Sequence, residues 1–213
     1  AGMVLAGREL QRVADAAIRH KLIVLGDEAY EHLVYDETTH IPIATLPGMF
    51  DRTITVGSGG KSFSFTGWKI GWASGPPALI AALRVVRQHL SYVSGGPFQA
   101  AIAAGLRLPD QFFADFSADL AQRRDLLSKG LRGLGFEVMP SAGTYFVTTD
   151  IRPLGHSDGA AFCDWLVTDV GVAAIPISAL ADDAATFAPY VRWTFCKRPE
   201  VLAAALERLA TIR

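Results

Sequence analysis

Residues 53–62 read Thr53-Ile54-Thr55-Val56-Gly57-Ser58-Gly59-Gly60-Lys61-Ser62. Four β-branched residues in succession favour a strand. The glycines that follow end it in a loop whose backbone N–H groups are open to a ligand. Working outward, Leu22-Ile23-Val24-Leu25 is a continuous apolar run that reads as a strand buried on both faces. Ile70 to Ala73 is a third short strand. Arg8 to His20 places Leu10, Val13, Ala14, Ala17 and Ile18 at helical spacing. Pro76-Pro77 opens a helix with Leu79, Leu83, Val86 and Leu90 on one stripe, and a further helix covers Phe98 to Leu106. Helices alternating with apolar strands predict an α/β fold around a mostly parallel sheet.

The texture changes at Leu108-Pro109. A long amphipathic segment from Asp110 to Leu134 carries Phe112, Phe113, Phe116, Leu120, Leu127 and Leu131, and Gly135 stops it. Strands are expected at Phe136–Met139, Thr144–Thr148 and Tyr190–Phe195, and helices at Asp158–Val170 and Pro199–Ile212. The expectation is two units, residues 1–108 and a smaller α+β domain over 109–213 opened by a long helix.

Composition narrows the function classes. Half of the 213 residues are hydrophobic and 19% are charged, which excludes a disordered tail. Twenty basic against 21 acidic side chains leave a net charge of −1, which favours neither nucleic acid nor an anionic membrane. No apolar run approaches the roughly 18–20 residues of a membrane span. Cys163 and Cys196 lie in no zinc-like or CxxC spacing, so a cytoplasmic setting is the default. The chain opens on Ala1 without a charged-then-apolar leader, which reads as processing or as part of a longer protein.

The chemistry-bearing residues cluster at strand exits. Gly60-Lys61-Ser62 matches the end of a nucleotide-binding GxxxxGK[ST] loop, but Thr55 stands where the first glycine belongs. Thr66-Gly67 also interrupts the helix that should begin at the lysine. A lysine desolvated near a second cation becomes a nucleophile toward carbonyls. Ser58, the glycine amides and Lys69 could hold a phosphate beside Lys61. Read alone, Lys61 is a solvated loop lysine. Asp27, in Gly26-Asp27-Glu28-Ala29-Tyr30 at the exit of the first strand, sits where ligands of parallel sheets gather. It equally fits an aspartate capping the next turn. Glu28 reads as structural, and Tyr30 alone as a core aromatic. In Tyr190-Val191-Arg192-Trp193-Thr194-Phe195, Arg192 and Thr194 share the face opposite Val191, Trp193 and Phe195. Arg192 either pairs with an internal acid or awaits an anionic ligand such as a carboxylate. The five histidines have no metal-ligand spacing, and no GxSxG elbow is present.

Asp27 with Tyr30, Ser58-Gly59-Gly60-Lys61, and Thr66-Gly67-Trp68-Lys69-Ile70-Gly71-Trp72 together resemble the fold-type I pyridoxal-phosphate aminotransferases. The match is to the class I/II branch that holds kynurenine, glutamine, methionine and N-succinyldiaminopimelate aminotransferases, and it covers essentially the whole chain. The resemblance implies that Lys61 forms the internal Schiff base with pyridoxal 5′-phosphate and shuttles the substrate α-proton. It implies that Asp27 keeps the pyridine nitrogen protonated and that Tyr30 bonds the ring's phenolic oxygen. Ser58 and Lys69 hold the phosphate, and Arg192 grips the substrate α-carboxylate. The implied partners are an amino acid, a 2-oxo acid and, in the full-length protein, a second subunit of a homodimer.

Family members are roughly twice this long. Ala1-Gly2 aligns with the end of their Asn-Pro-x-Gly segment, so 1–108 reads as a partial cofactor-binding domain. A sheet lacking strands exposes edge and apolar surface. The 213 residues alone are therefore expected to aggregate and to be weakly active. Two alternatives stand beside the transaminase: a carbon–sulfur β-lyase using the same lysine, and a non-catalytic remnant or regulator module.

Overall fold

Val24–Asp27 (β1) and Thr53–Ser58 (β2) run parallel, Val24 opposite Thr53 and Asp27 opposite Val56, in the computed structural model, which describes residues 2–93 and 95–212. Gly71–Ser74 (β3) adds to the other side of β2 antiparallel, with Ser58 opposite Gly71. The sheet order is β1-β2-β3, so the α/β sheet is mixed, one pairing of each kind. Gly57 in β2 is dictated by its neighbour: a Cβ there would lie 2.3 Å from the Trp72 indole, which crosses the strand at that point.

This sheet belongs to a unit spanning Val4–Asp115. Helix Gly7–Arg19 (α1) buries Leu10, Ala14 and Ala17, the 3,4-spaced face, against Ile43 and Met49. A single turn, Gly59–Ser62 (α2), follows β2, and Pro77–Leu90 (α3) and Gly96–Gly105 (α4) follow β3. Ile102 of α4 packs with Phe63 and Ile70 in a second core cluster.

One expectation is overturned here. The run at 22–25 is not a strand buried on both faces: Leu22, Ile23 and Leu25 are 52%, 62% and 65% exposed. The strand begins two residues later, and among the described residues it is an edge of the sheet, with no strand paired on its outer side. The helix stripe on α3 is likewise uncovered at Val86 and Leu90. Between them runs an apolar groove of about 560 Å³ walled by Ile23, Ile54, Leu79, Leu83, Val86 and Leu90.

The other unit comprises Ala1–Met3 and Phe116–Arg213, so the division falls inside helix Asp110–Gly133 (α5), between Asp115 and Phe116. Its sheet is wholly antiparallel, built from Glu137–Val138 (β4), Phe146–Asp150 (β5), Ile175–Pro176 (β6) and Tyr190–Thr194 (β7) in the order β4-β5-β7-β6. Helices Gly159–Trp165 (α6) and Pro199–Leu209 (α7) complete it. Alternation along β7 sends Val191, Trp193 and the following Phe195 into the core, each less than 5% exposed. The Trp193 indole N–H donates to Thr149 Oγ1 at 2.8 Å, satisfying the polar handle of a buried ring.

Candidate active site

Because β1 and β2 are parallel, their carboxyl ends open on one edge, where the chain must leave the ladder and backbone groups become free for ligands. The Glu28 N–H donates to Val56 C=O at 2.8 Å and carries the ladder one residue beyond Asp27. Asp27 is exposed, and its Oδ1 accepts from the Ala29 N–H at 3.1 Å. That bond turns the chain and occupies one of the two carboxylate oxygens. The structural role foreseen for Asp27 is thus real, and it coexists with a carboxylate at the strand exit. Three residues on, half-buried Tyr30 brings its ring centroid to 5.7 Å from Lys61 Nζ. Lys61 itself is half-buried on α2, immediately after β2.

The loop around Lys61 is packed too tightly for side chains. A Cβ on Gly60 would meet the Thr66 Cα at 2.9 Å, and Thr66 Oγ1 donates to Gly60 C=O at 3.0 Å. Lys61 therefore sits on a turn clamped from below by Thr66. The Gly59 N–H donates to Ile70 C=O at 3.0 Å, and Ser58 lies opposite Gly71. These two links draw Lys69, exposed and left-handed at φ 54°, to the same end of β2 as half-buried Ser58. Lysine heads no long helix here, since α2 is four residues, so the nucleotide-loop reading gains nothing.

Asp27, Tyr30, Ser58, Lys61 and Lys69 are thus brought to one edge of one sheet. This is the donor set pyridoxal phosphate asks for: an acid, a phenol, an amine, and a hydroxyl with a cation for the phosphate. Arg192 belongs to the other unit, on the central strand β7 between Thr148 of β5 and Ile175 of β6. Its guanidinium lies 4.1 Å from the Phe146 ring centroid, and Nε is buried without a hydrogen-bond partner. Among the described residues no carboxylate pairs with it. Of the two readings open from sequence, the internal ion pair is not the one seen.

Sequence reasoning missed a cluster next to Asp27. Glu28, read as structural, is 8% exposed and its Oε2 lies 2.7 Å from His40 Nε2. The Glu28 carboxylate at this distance raises the His40 pKa above its ordinary value, against an opposing effect of burial. Burial lowers the pKa of His32, which stacks on Phe113 with centroids 4.0 Å apart, and raises that of Glu31. Eleven residues of irregular chain separate Glu28 from His40, so no periodicity could have announced the pair. Among the described residues no group of three or more metal-ligating side chains forms, and no helix is long and apolar enough to cross a membrane.

Comparison with known proteins agrees with this geometry. The family model described as "Aminotransferase class I and II" matches residues 1–209. The probable N-succinyldiaminopimelate aminotransferase DapC of Mycobacterium tuberculosis is 48% identical over 99% of this chain and 55% of its own length. Kynurenine–oxoglutarate transaminase 3 of Mus musculus is 38% identical over 97% of this chain and 49% of its own. The solved N-succinyldiaminopimelate aminotransferase of M. tuberculosis superimposes with a TM-score of 0.96, covering 100% of this chain and 56% of that one. The Escherichia coli protein YbdL, titled with a methionine aminotransferase function, follows at 0.91 and 32% identity, covering 99% and 55%. The chain spans about half the length of the curated relatives it matches. These relatives are named as transaminases, which does not favour the carbon–sulfur lyase alternative. With the family's model covering residues 1–209 and a relative 48% identical over 99% of this chain, the chain belongs to the class I and II aminotransferases.

Proposed function

We propose that this chain supplies the lysine, cofactor-holding and carboxylate-binding residues of a transaminase exchanging an amino group between an amino acid and a 2-oxo acid. The observation that carries the proposal is the half-buried Lys61 amine, 5.7 Å from the Tyr30 ring centroid, at the edge where the Asp27 strand ends. When bound, pyridoxal phosphate supplies an aldehyde that condenses with amines and a ring that withdraws electrons. Asp27 holds a proton on the ring nitrogen, and Tyr30 donates to the phenolic oxygen. Ser58, Lys69 and the amides of the clamped glycine turn take the phosphate. Lys61 is the amine that would hold the aldehyde and the base that would move a proton from the substrate α-carbon. Arg192 binds the α-carboxylate through a bidentate fork, which fixes the substrate's orientation. In the proposed working state the protein is a homodimer in the cytoplasm, with residues 1–108 serving the cofactor and 109–213 forming the smaller domain.

The test adds pyridoxal phosphate to the full-length protein that contains these 213 residues, reduces with borohydride and maps the modified peptide. The label is expected on Lys61; a label on any other residue overturns the assignment. The names of the relatives set the donor panel: N-succinyldiaminopimelate, kynurenine and methionine, each with 2-oxoglutarate as acceptor. Ping-pong kinetics with at least one of them is the expected outcome. Sedimentation and cell fractionation test the dimer and the compartment.

A further inference from the structure

We propose that Phe146 is a positioning residue for substrate binding: its ring holds the Arg192 guanidinium in place to receive a carboxylate. The inference rests on the reading of Arg192 as the carboxylate ligand and deepens it. On the antiparallel β5·β7 pair, Phe146 lies opposite Thr194 and Thr148 opposite Arg192, so Phe146 is the diagonal neighbour of Arg192 on one face. Diagonal neighbours are within reach of aromatic and long side chains. The 4.1 Å separation from guanidinium carbon to ring centroid is well inside the range of a cation–π contact.

The rest of the neighbourhood explains why the ring carries this task. Arg192 sits on a central strand, and the residues directly across from it are Thr148 and Ile175, neither of them an acid. A lone arginine on such a strand has many rotamers, and binding an anion would then have to freeze them. Stacking on a ring removes that freedom beforehand while leaving the hydrogen-bonding edge in the guanidinium plane unused. No described carboxylate or carbonyl takes that edge. The Phe146 ring is itself braced by Tyr145, at 4.6 Å between centroids. An acid would have fixed Arg192 equally well, but it would have competed with the substrate for the same N–H groups. A ring orients the cation and leaves its fork for the ligand.

The experiment uses the full-length protein that contains these 213 residues, loaded with pyridoxal phosphate, and two readouts. One is steady-state kinetics for the best donor and acceptor; the other is the calorimetric Kd of propionate, a carboxylate that carries no amino or oxo group. Phe146→Leu is expected to weaken propionate binding about tenfold and to raise both KM values by a similar factor, with kcat changed less than about threefold. Phe146→Tyr, which keeps the π face, should restore values close to the parent. In an Arg192→Ala background, Phe146→Leu should add nothing. Unchanged propionate affinity in Phe146→Leu, alongside a large loss in Arg192→Ala, overturns the role of Phe146 alone. Equal losses from Phe146→Leu with and without Arg192 mark a merely structural residue and overturn it as well. If Arg192→Ala leaves propionate binding intact, the parent reading of Arg192 fails.

Discussion

Replacing Gly60 with alanine tests whether the turn beneath Lys61 is as tightly clamped as the geometry says. In a helical turn alanine is ordinarily better than glycine by about 1 kcal/mol, so the naive expectation is a gain. Here the new Cβ would stand 2.9 Å from the Thr66 Cα and 3.4 Å from its N, both backbone atoms that cannot rotate aside. Ordinary contact would require the two segments to part by roughly half an ångström or more, and overpacking of this kind costs about 1–3 kcal/mol. The balance is a net loss of up to about 2 kcal/mol, or a fall in Tm of several degrees at about 2–4 °C per kcal/mol. The displacement falls on the residue next to Lys61, the amine proposed to react, and misplacing a reacting group by about 1 Å costs about 100-fold in rate. Thermal unfolding and kcat/KM of the cofactor-loaded full-length protein are the assays. Gly133→Ala, at the end of α5 with nothing within 4 Å of the new Cβ, is the control and should gain about 0.5–1 kcal/mol. A Gly60→Ala variant with undiminished Tm and kcat/KM would refute the reasoning.

Three other outcomes are expected. The Glu28 carboxylate raises the folded pKa of His40 above the ordinary 6.5, so its stabilisation is complete below that value and fades as pH rises through the higher folded one. Denaturant titrations should therefore show wild type exceeding His40→Gln by about 1–2 kcal/mol near pH 5.5 and by much less at pH 9; a gap that widens with pH would contradict the pairing. Ile23→Lys with Leu25→Lys, both on one face of the edge strand region, should lower light scattering by the isolated 213 residues several-fold, and unchanged scattering would show that this surface does not drive self-association. Burial pushes the Cys163 thiol up to about 11, whereas Cys196 is exposed, so maleimide at pH 7.5 should label Cys196 in native protein and Cys163 only after unfolding.

The elements legible in the sequence are those whose information is local. The Leu10, Ala14 and Ala17 spacing yields α1 because one helical face meets one core, and the alternation from Val191 to Phe195 sorts β7 residue by residue. The boundaries of β1 were not legible. Gly26 and Asp27 have poor strand propensity and are held extended by pairing with Thr55 and Val56, a tertiary effect. Nor does an apolar run state what covers it, which is why Ile23 and Leu25 read as buried and stand exposed. Strand direction is equally silent in a period of two, and β3 runs antiparallel to β2. Of the candidate site, the residue types and the loop were legible, because glycine, serine and lysine in that order have few other uses. The Phe146 ring over Arg192 was not, since it joins residues 46 apart through cross-strand register.

The left-handed backbone at Lys69 carries a practical warning for anyone raising the heat tolerance of this protein. A common engineering route replaces non-glycine residues at positive φ with glycine, and the described residues offer Lys21, Asp36, Ser64, Lys69, Tyr92 and Thr144 as targets. At Lys69 the relaxed backbone would come with the loss of an ammonium group from the segment that pairs with Ser58 and Gly59. A screen scored on melting temperature alone would accept that exchange, whereas one scored on coenzyme retention would reject it under the phosphate-binding role proposed for Lys69.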